Sequence, residues 1–230
     1  KPLPYDVAYA VVDGGSEAFL ENLIEALPGT RGLLVVNFRP EYHAAWMKKS
    51  YYQQLPIHPL GASEITELLK KILGEDPSLA GLAERITQRT SGNPYFIEEV
   101  VQSLVEARVL VGAKGAYRLA GAVDKVAIPA TVQAVLAARI DRLAEREKQL
   151  LQAASVIGRE FPEPVLRHVA NLAEGDLAEA LRMLVGAEFA YEASIYPDLS
   201  YAFKHALTQE VVYNPQLSDR RARVHAAVAK

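Results

Sequence analysis

Residues Arg89 to Glu106 read RTSGNPYFIEEVVQSLVE. Phe96, Ile97, Val100, Val101, Leu104 and Val105 recur at the i, i+1, i+4, i+5 spacing of one buried helical side. Pro94 suits the first helical position, where a missing N–H leaves no bond unmade, and Asn93 is a good N-cap. Ser91-Gly92-Asn93-Pro94 is therefore a turn that opens straight into a helix. A glycine ahead of a helix-starting proline lets backbone lie close to whatever packs on the turn. On spacing alone, a plain loop between two helices is the simpler account.

Upstream of this stretch the chain reads as strand, helix, strand. Val7 to Val12 is apolar and partly β-branched, as in a buried strand. Asp13-Gly14-Gly15 is a turn, and Ser16 can cap a helix with Phe19, Leu20, Leu23, Ile24 and Leu27 on its apolar side. Pro28-Gly29 ends that helix, and Leu33 to Phe38 reads as a second strand before Pro40. This order predicts a βαβ unit on a parallel sheet, present only as a remnant because too few strands follow. Gln53 to Ile57 is a further short strand candidate. Ser63 can cap a helix carrying Ile65, Leu68, Leu69 and Ile72, and Leu79 to Thr90 is another helix.

Downstream, Val109 to Leu119, broken by Gly112 and Gly115, reads as a small hairpin. Ala120 to Ala127 is a connector, and Pro129 restarts helix. Val132 to Leu143, Glu145 to Ile157, Pro164 to Val169 and Asp176 to Ala187 are helical candidates. Glu188 to Ile195 and Leu199 to Lys204 then flank a turn at Tyr196-Pro197-Asp198. Helices followed by one hairpin predict a winged-helix domain.

Bulk properties narrow the classes. The chain has 230 residues, half of them hydrophobic and 23% charged, as in a globular protein with a substantial core. No apolar run approaches the roughly 20 residues that span a bilayer, so no membrane partner is expected. With no cysteine there are no disulfides, thiolate metal sites or cysteine nucleophiles, which fits a reducing cytoplasm. A net charge of -3 gives no general attraction to nucleic acid. Lys1 and the helical run Val224 to Lys230 read as cut ends.

The Gly-Asn-Pro segment resembles the second nucleotide sensor of AAA-like signal-transduction ATPases with numerous domains. The most similar are the ATPase modules attached to bacterial adenylate/guanylate cyclases and to large transcriptional activators. The resemblance continues through Ile128-Pro129-Ala130-Thr131-Val132-Gln133, Ala137-Ala138-Arg139-Ile140-Asp141-Arg142-Leu143, Ala153 to Phe161 (AASVIGREF) and Phe203 to Glu210 (FKHALTQE). It covers nearly the whole chain from Ser16 onward. It implies a mainly α fold with a small α/β remnant: residues 1–60 as a partial nucleotide-binding parallel sheet, 61–128 as a helical lid, and 129–230 as a winged-helix domain plus following helices.

The resemblance also implies roles. Gly92 and Pro94 face the adenine of ATP or ADP, with the proline packed on the base. Asn37 and Arg39, beyond the carboxyl end of the second strand, correspond to the first sensor. A guanidinium there meets a phosphate through two parallel hydrogen bonds. His205 corresponds to the histidine at the end of the wing, which reaches the β-phosphate in the closed, diphosphate-bound state. A ring nitrogen can donate such a bond and is tunable near neutral pH. Each has a plainer alternative: a loop, a surface arginine, a histidine that starts a helix.

Other parts of the pattern are missing. No G-x-x-x-x-G-K-[ST] phosphate loop occurs. Aligned without gaps from Ser16 backward, the family's acidic pair, which holds magnesium, falls on Val7 and Ala8, which cannot bind a cation. Either the first dozen residues are not the family's strand or hydrolysis is lost. His43, His58, His168 and His225 form no metal-ligand spacing, so no metal site and no catalytic residue is assigned. The chain is expected to be a regulatory nucleotide-switch fragment that does not hydrolyse ATP, with magnesium needed only in a longer parent. Its expected partners are adenine nucleotide and an attached nucleotide-binding core and effector domains. The alternative is a DNA-binding or protein-interaction module. Against DNA, the helix before the hairpin offers Arg182 beside Asp176 and Glu179, and the hairpin adds Glu188, Glu192 and Asp198, which repel phosphate.

Overall fold

A computed structural model describes residues 14–38, 41–170, 172–195 and 198–229. The chain is mainly helical and divides into two units, Lys1–Ile57 and His58–Lys230. Among the described residues the strands form two small antiparallel sheets.

In the first unit, helix α1 (Gly14–Ala26) starts two residues before the predicted cap Ser16. Its buried residue is Ile24, while Phe19 is 71% exposed. A short 3-10 turn, Ala45–Lys48, buries Trp46. Phe38, Tyr42 and Tyr52 gather around that indole with ring centroids 5.5 to 6.3 Å apart. Lys49 pairs with Glu25 at 3.0 Å.

The predicted parallel sheet is corrected here. Leu33 to Phe38 and Gln53 to Ile57 run without strand pairing, and Leu33, Val35, Leu55 and Ile57 are more than 80% exposed. A strand exists only through a ladder with a neighbour and a layer under its apolar face. The described residues of this unit supply neither. Val7 to Val12 lies outside the described residues.

The second unit has two hydrophobic cores in series. The first is built by α2 (Ala62–Leu73), α3 (Leu82–Thr90), α4 (Pro94–Glu106) and the hairpin β1 (Leu110–Ala113) and β2 (Ala116–Leu119). Glu64 accepts the Gly61 N–H at the start of α2, so the cap lies before Ser63. Gly81 adopts the left-handed conformation and starts α3 three residues later than the predicted Leu79. Val100, Ile97 and Ile86 are essentially inaccessible, as the helical period requires. Arg85 donates to the Val126 carbonyl at 2.9 Å and ties down the connector after β2.

Helix α5 (Val132–Asp141), capped by Thr131 and not begun at Pro129, joins the two cores. Val135 belongs to the first core, Leu136 and Ile140 to the second. The second core is enclosed by α6 (Glu145–Ile157), α7 (Glu163–Ala170), α8 (Glu174–Gly186), α9 (Ala206–Tyr213) and a three-stranded sheet, and α10 (Ser218–Val228) packs on α6 and α7. Strands β3 (Glu160–Pro162), β4 (Ala190–Ser194) and β5 (Ser200–Phe203) lie in the order β3-β5-β4. Every residue of the central strand β5 is buried. Phe161 opposes Tyr201, and Ala190 opposes Phe203. The three-residue β3 is too short to show a period-2 pattern, which is why the sequence did not reveal it.

Candidate functional site

Two consecutive left-handed residues, Ser91 (φ 50) and Gly92 (φ 79), close helix α3 and aim the chain into α4. The Gly92 carbonyl accepts the Leu60 N–H at 2.9 Å. A Cβ on Gly92 would lie 2.4 Å from the Leu60 carbonyl oxygen, so only glycine fits. Asn93 accepts the Phe96 N–H at 3.1 Å, the expected cap, and Pro94 occupies the first turn with its ring exposed. The turn is thus sewn to the 58–60 segment on one side and leaves Pro94 open on the other.

Tyr95, next in the chain, links this turn to His205. The two rings stack with centroids 4.1 Å apart and planes 14° from parallel. The Tyr95 hydroxyl hydrogen bonds to Thr208 Oγ1 at 3.1 Å, 113 positions away. Burial pushes the Tyr95 phenol up to about 12, outweighing the Thr208 hydrogen bond, so it stays protonated. His205 is the N-cap of α9: its Nδ1 accepts the Leu207 N–H at 3.1 Å. A neutral ring that accepts at Nδ1 carries its proton on Nε2. His205 is exposed at the surface.

Partial burial holds the His205 imidazolium below its ordinary pKa; the nearby Arg159 charge acts the same way, and Glu210 opposes both. Protonation also removes the Nδ1 acceptor that caps α9. The unfolded chain then binds the proton more readily than the folded one. The cap's contribution is therefore complete above about pH 6.5 and is lost as pH falls through the lower folded-state value. Acidification from pH 7.5 to 5 is expected to lower the melting temperature of the wild-type chain more than that of His205→Asn, whose side chain caps at both pH values. Equal acid sensitivity of the two proteins would contradict this.

A second polar junction lies deeper on the same helix. Arg139 of α5 is 1% exposed and is the largest fully buried side chain. It bonds to Glu99 and, through Nε at 2.9 Å and Nη2 at 2.6 Å, to Glu106, both on α4. Its Nη2 also reaches the Ala187 carbonyl at 2.6 Å, and the guanidinium lies 4.5 Å over the Phe189 ring. Burial raises the Glu99 carboxyl above the usual carboxylate range, with the Arg139 charge and hydrogen bond opposing. This cluster clamps α4 of the first core to the turn between α8 and β4 in the second. The sequence showed Arg139 only within a resemblance motif.

The structure therefore brings Gly92, Pro94 and His205 into one neighbourhood, with Tyr95 between them. Asn37 belongs to the first unit and is exposed on irregular chain, so its placement at a strand end is corrected along with the strand. Arg39 lies outside the described residues. Two grooves of the second unit lie elsewhere: about 110 Å³ beside Leu150, Val169 and Arg220, and about 300 Å³ beside Ser155, Gln209 and His225. Gly92, Pro94 and His205 line neither; Pro94 and His205 are exposed, and Gly92 is buried under Leu60. No group of three or more histidines and carboxylates able to hold a metal occurs among the described residues, and no helix there is long and apolar enough to cross a membrane.

No protein-family profile matches the chain. It is similar to an uncharacterized protein of Rhizobium meliloti (strain 1021), at 29% identity over 197 residues, or 84% of the chain. The chain spans 18% of the length of that relative.

Proposed function

We propose that the chain is the nucleotide-responsive part of a multidomain signalling ATPase, in which a helical lid and a winged helix respond to ATP or ADP. One observation carries the reading: the Tyr95–His205 stack joins the Gly92–Pro94 turn to a histidine more than a hundred residues away. An exposed proline ring suits an adenine face, and an Nε2–H donor on the exposed His205 suits a phosphate oxygen. The helices α6 to α8 followed by β4 and β5 fit the winged-helix resemblance, and α2 to α4 fit the lid. Val7 and Ala8, at the positions of the family's acidic pair, offer no side-chain oxygen to a magnesium ion.

Such a switch works only if nucleotide binds one arrangement more tightly than another. The chain, lacking a phosphate loop, binds nucleotide weakly and does not turn it over. Incubated with ATP and magnesium, the purified chain is expected to release phosphate no faster than a buffer control. Sustained magnesium-dependent release would overturn this assignment. Duplex DNA is a poor alternative partner. On α8, Asp176 and Glu179 are half exposed and paired with Arg146, which leaves the surface without surplus positive charge.

A further inference from the structure

We infer that Tyr95 is the positioning residue that holds His205 with its Nε2–H turned toward an anionic ligand. This deepens the nucleotide proposal and rests on it. A surface imidazole has two side-chain torsions to lose before it can donate in a fixed direction, and each costs binding free energy. Here the ring is restrained at two points, and one of its restraints is itself anchored. Its Nδ1 takes the Leu207 N–H, its face lies on Tyr95, and Tyr95 is itself pinned at the far end by Thr208, which is 2% exposed.

Tyr95 bonds to the first turn of α9 and stacks on the residue that caps it. It does so from the first turn of α4, beside Pro94. Any shift of the Gly92–Pro94 turn is therefore passed to the histidine through one rigid ring. Only Nε2 remains for a ligand, and as an N–H donor it selects an acceptor such as a phosphate oxygen over a cation.

The test uses the chain labelled at histidine for NMR, with ADP titrated to millimolar concentration. In the wild type the His205 ring proton is expected to be shifted upfield by the Tyr95 ring and to move on adding ADP. Tyr95→Leu should release that shift and raise the ADP half-saturation about tenfold or more, the loss expected for one charged hydrogen bond. His205→Ala should weaken ADP equally, and the double variant no further. Tyr95→Phe, which keeps the ring and loses only the Thr208 bond, should retain the upfield shift and most of the affinity.

A His205 resonance unmoved by Tyr95→Leu, or losses that multiply in the double variant, would overturn the positioning role. If Tyr95→Leu moves the resonance while His205→Ala leaves ADP affinity unchanged, the nucleotide assignment is overturned instead.

Discussion

Replacing Arg139 with alanine is expected to destabilise the second unit by about 3–5 kcal/mol, the cost of leaving a buried carboxylate without its partner. For a domain of this size that lowers the melting temperature by about 6–20 °C. Glu99 is 3% exposed, so little water can replace the lost guanidinium. The Ala187 carbonyl loses its donor as well.

The companion variants separate charge from packing. Arg139→Met with Glu99→Leu and Glu106→Gln removes all three charges and keeps apolar bulk. Buried ion clusters replaced in this way are commonly neutral or stabilising, so this triple variant should recover most of the loss. Trp46, the only tryptophan, sits in the first unit, so far-UV circular dichroism and hydrogen exchange in α4 and α5 are the appropriate probes. A triple variant as unstable as Arg139→Ala would show that the cluster acts through shape and not through charge.

Gly92→Ala is expected to be comparably damaging, at about 2–6 kcal/mol. Forcing a residue with a Cβ into φ 79 costs about 1–3 kcal/mol. Relieving a 2.4 Å approach to the Leu60 oxygen adds about 1–3 kcal/mol of overpacking strain. Because Gly92 also accepts the Leu60 N–H, the shift detaches residues 58–60 from the turn. The neighbouring control is Ser91→Gly, which relieves a left-handed residue at φ 50 and should stay within about 1 kcal/mol of the wild type. Urea unfolding of both variants decides the matter. A Gly92→Ala protein as stable as Ser91→Gly would mean that the turn adapts freely.

The helices were largely legible because their signal is periodic and repeated. The apolar positions of α4 fall on one side at every turn, and Asn93 caps where a cap residue was expected. The hairpin β1-β2 was legible because its two glycines break an apolar run at the turn. The strands predicted in the first unit failed for a different reason. An apolar β-branched run such as Leu33 to Val36 states a preference, but a strand is a relation between two segments, and the described residues provide no second one.

The candidate site divides in the same way. Gly92, Pro94 and His205 could be picked out singly, because a turn glycine, a helix-starting proline and a histidine before a helix are local signs. Tyr95 carried no sign of its own. It follows a proline on a helix, where any aromatic residue would read as partly buried surface, and its partners lie 110 and 113 positions on. Arg139 was equally silent, since an arginine beside alanines in a helix reads as solvated. Composition, periodicity and capping chemistry act between near neighbours, so sequence alone could set the helices, the turn and the absence of a phosphate loop. The joint between α4 and the second half of the chain is decided by tertiary packing, because a stacked ring and a buried ion pair acquire their energy only when distant segments exclude water from between them.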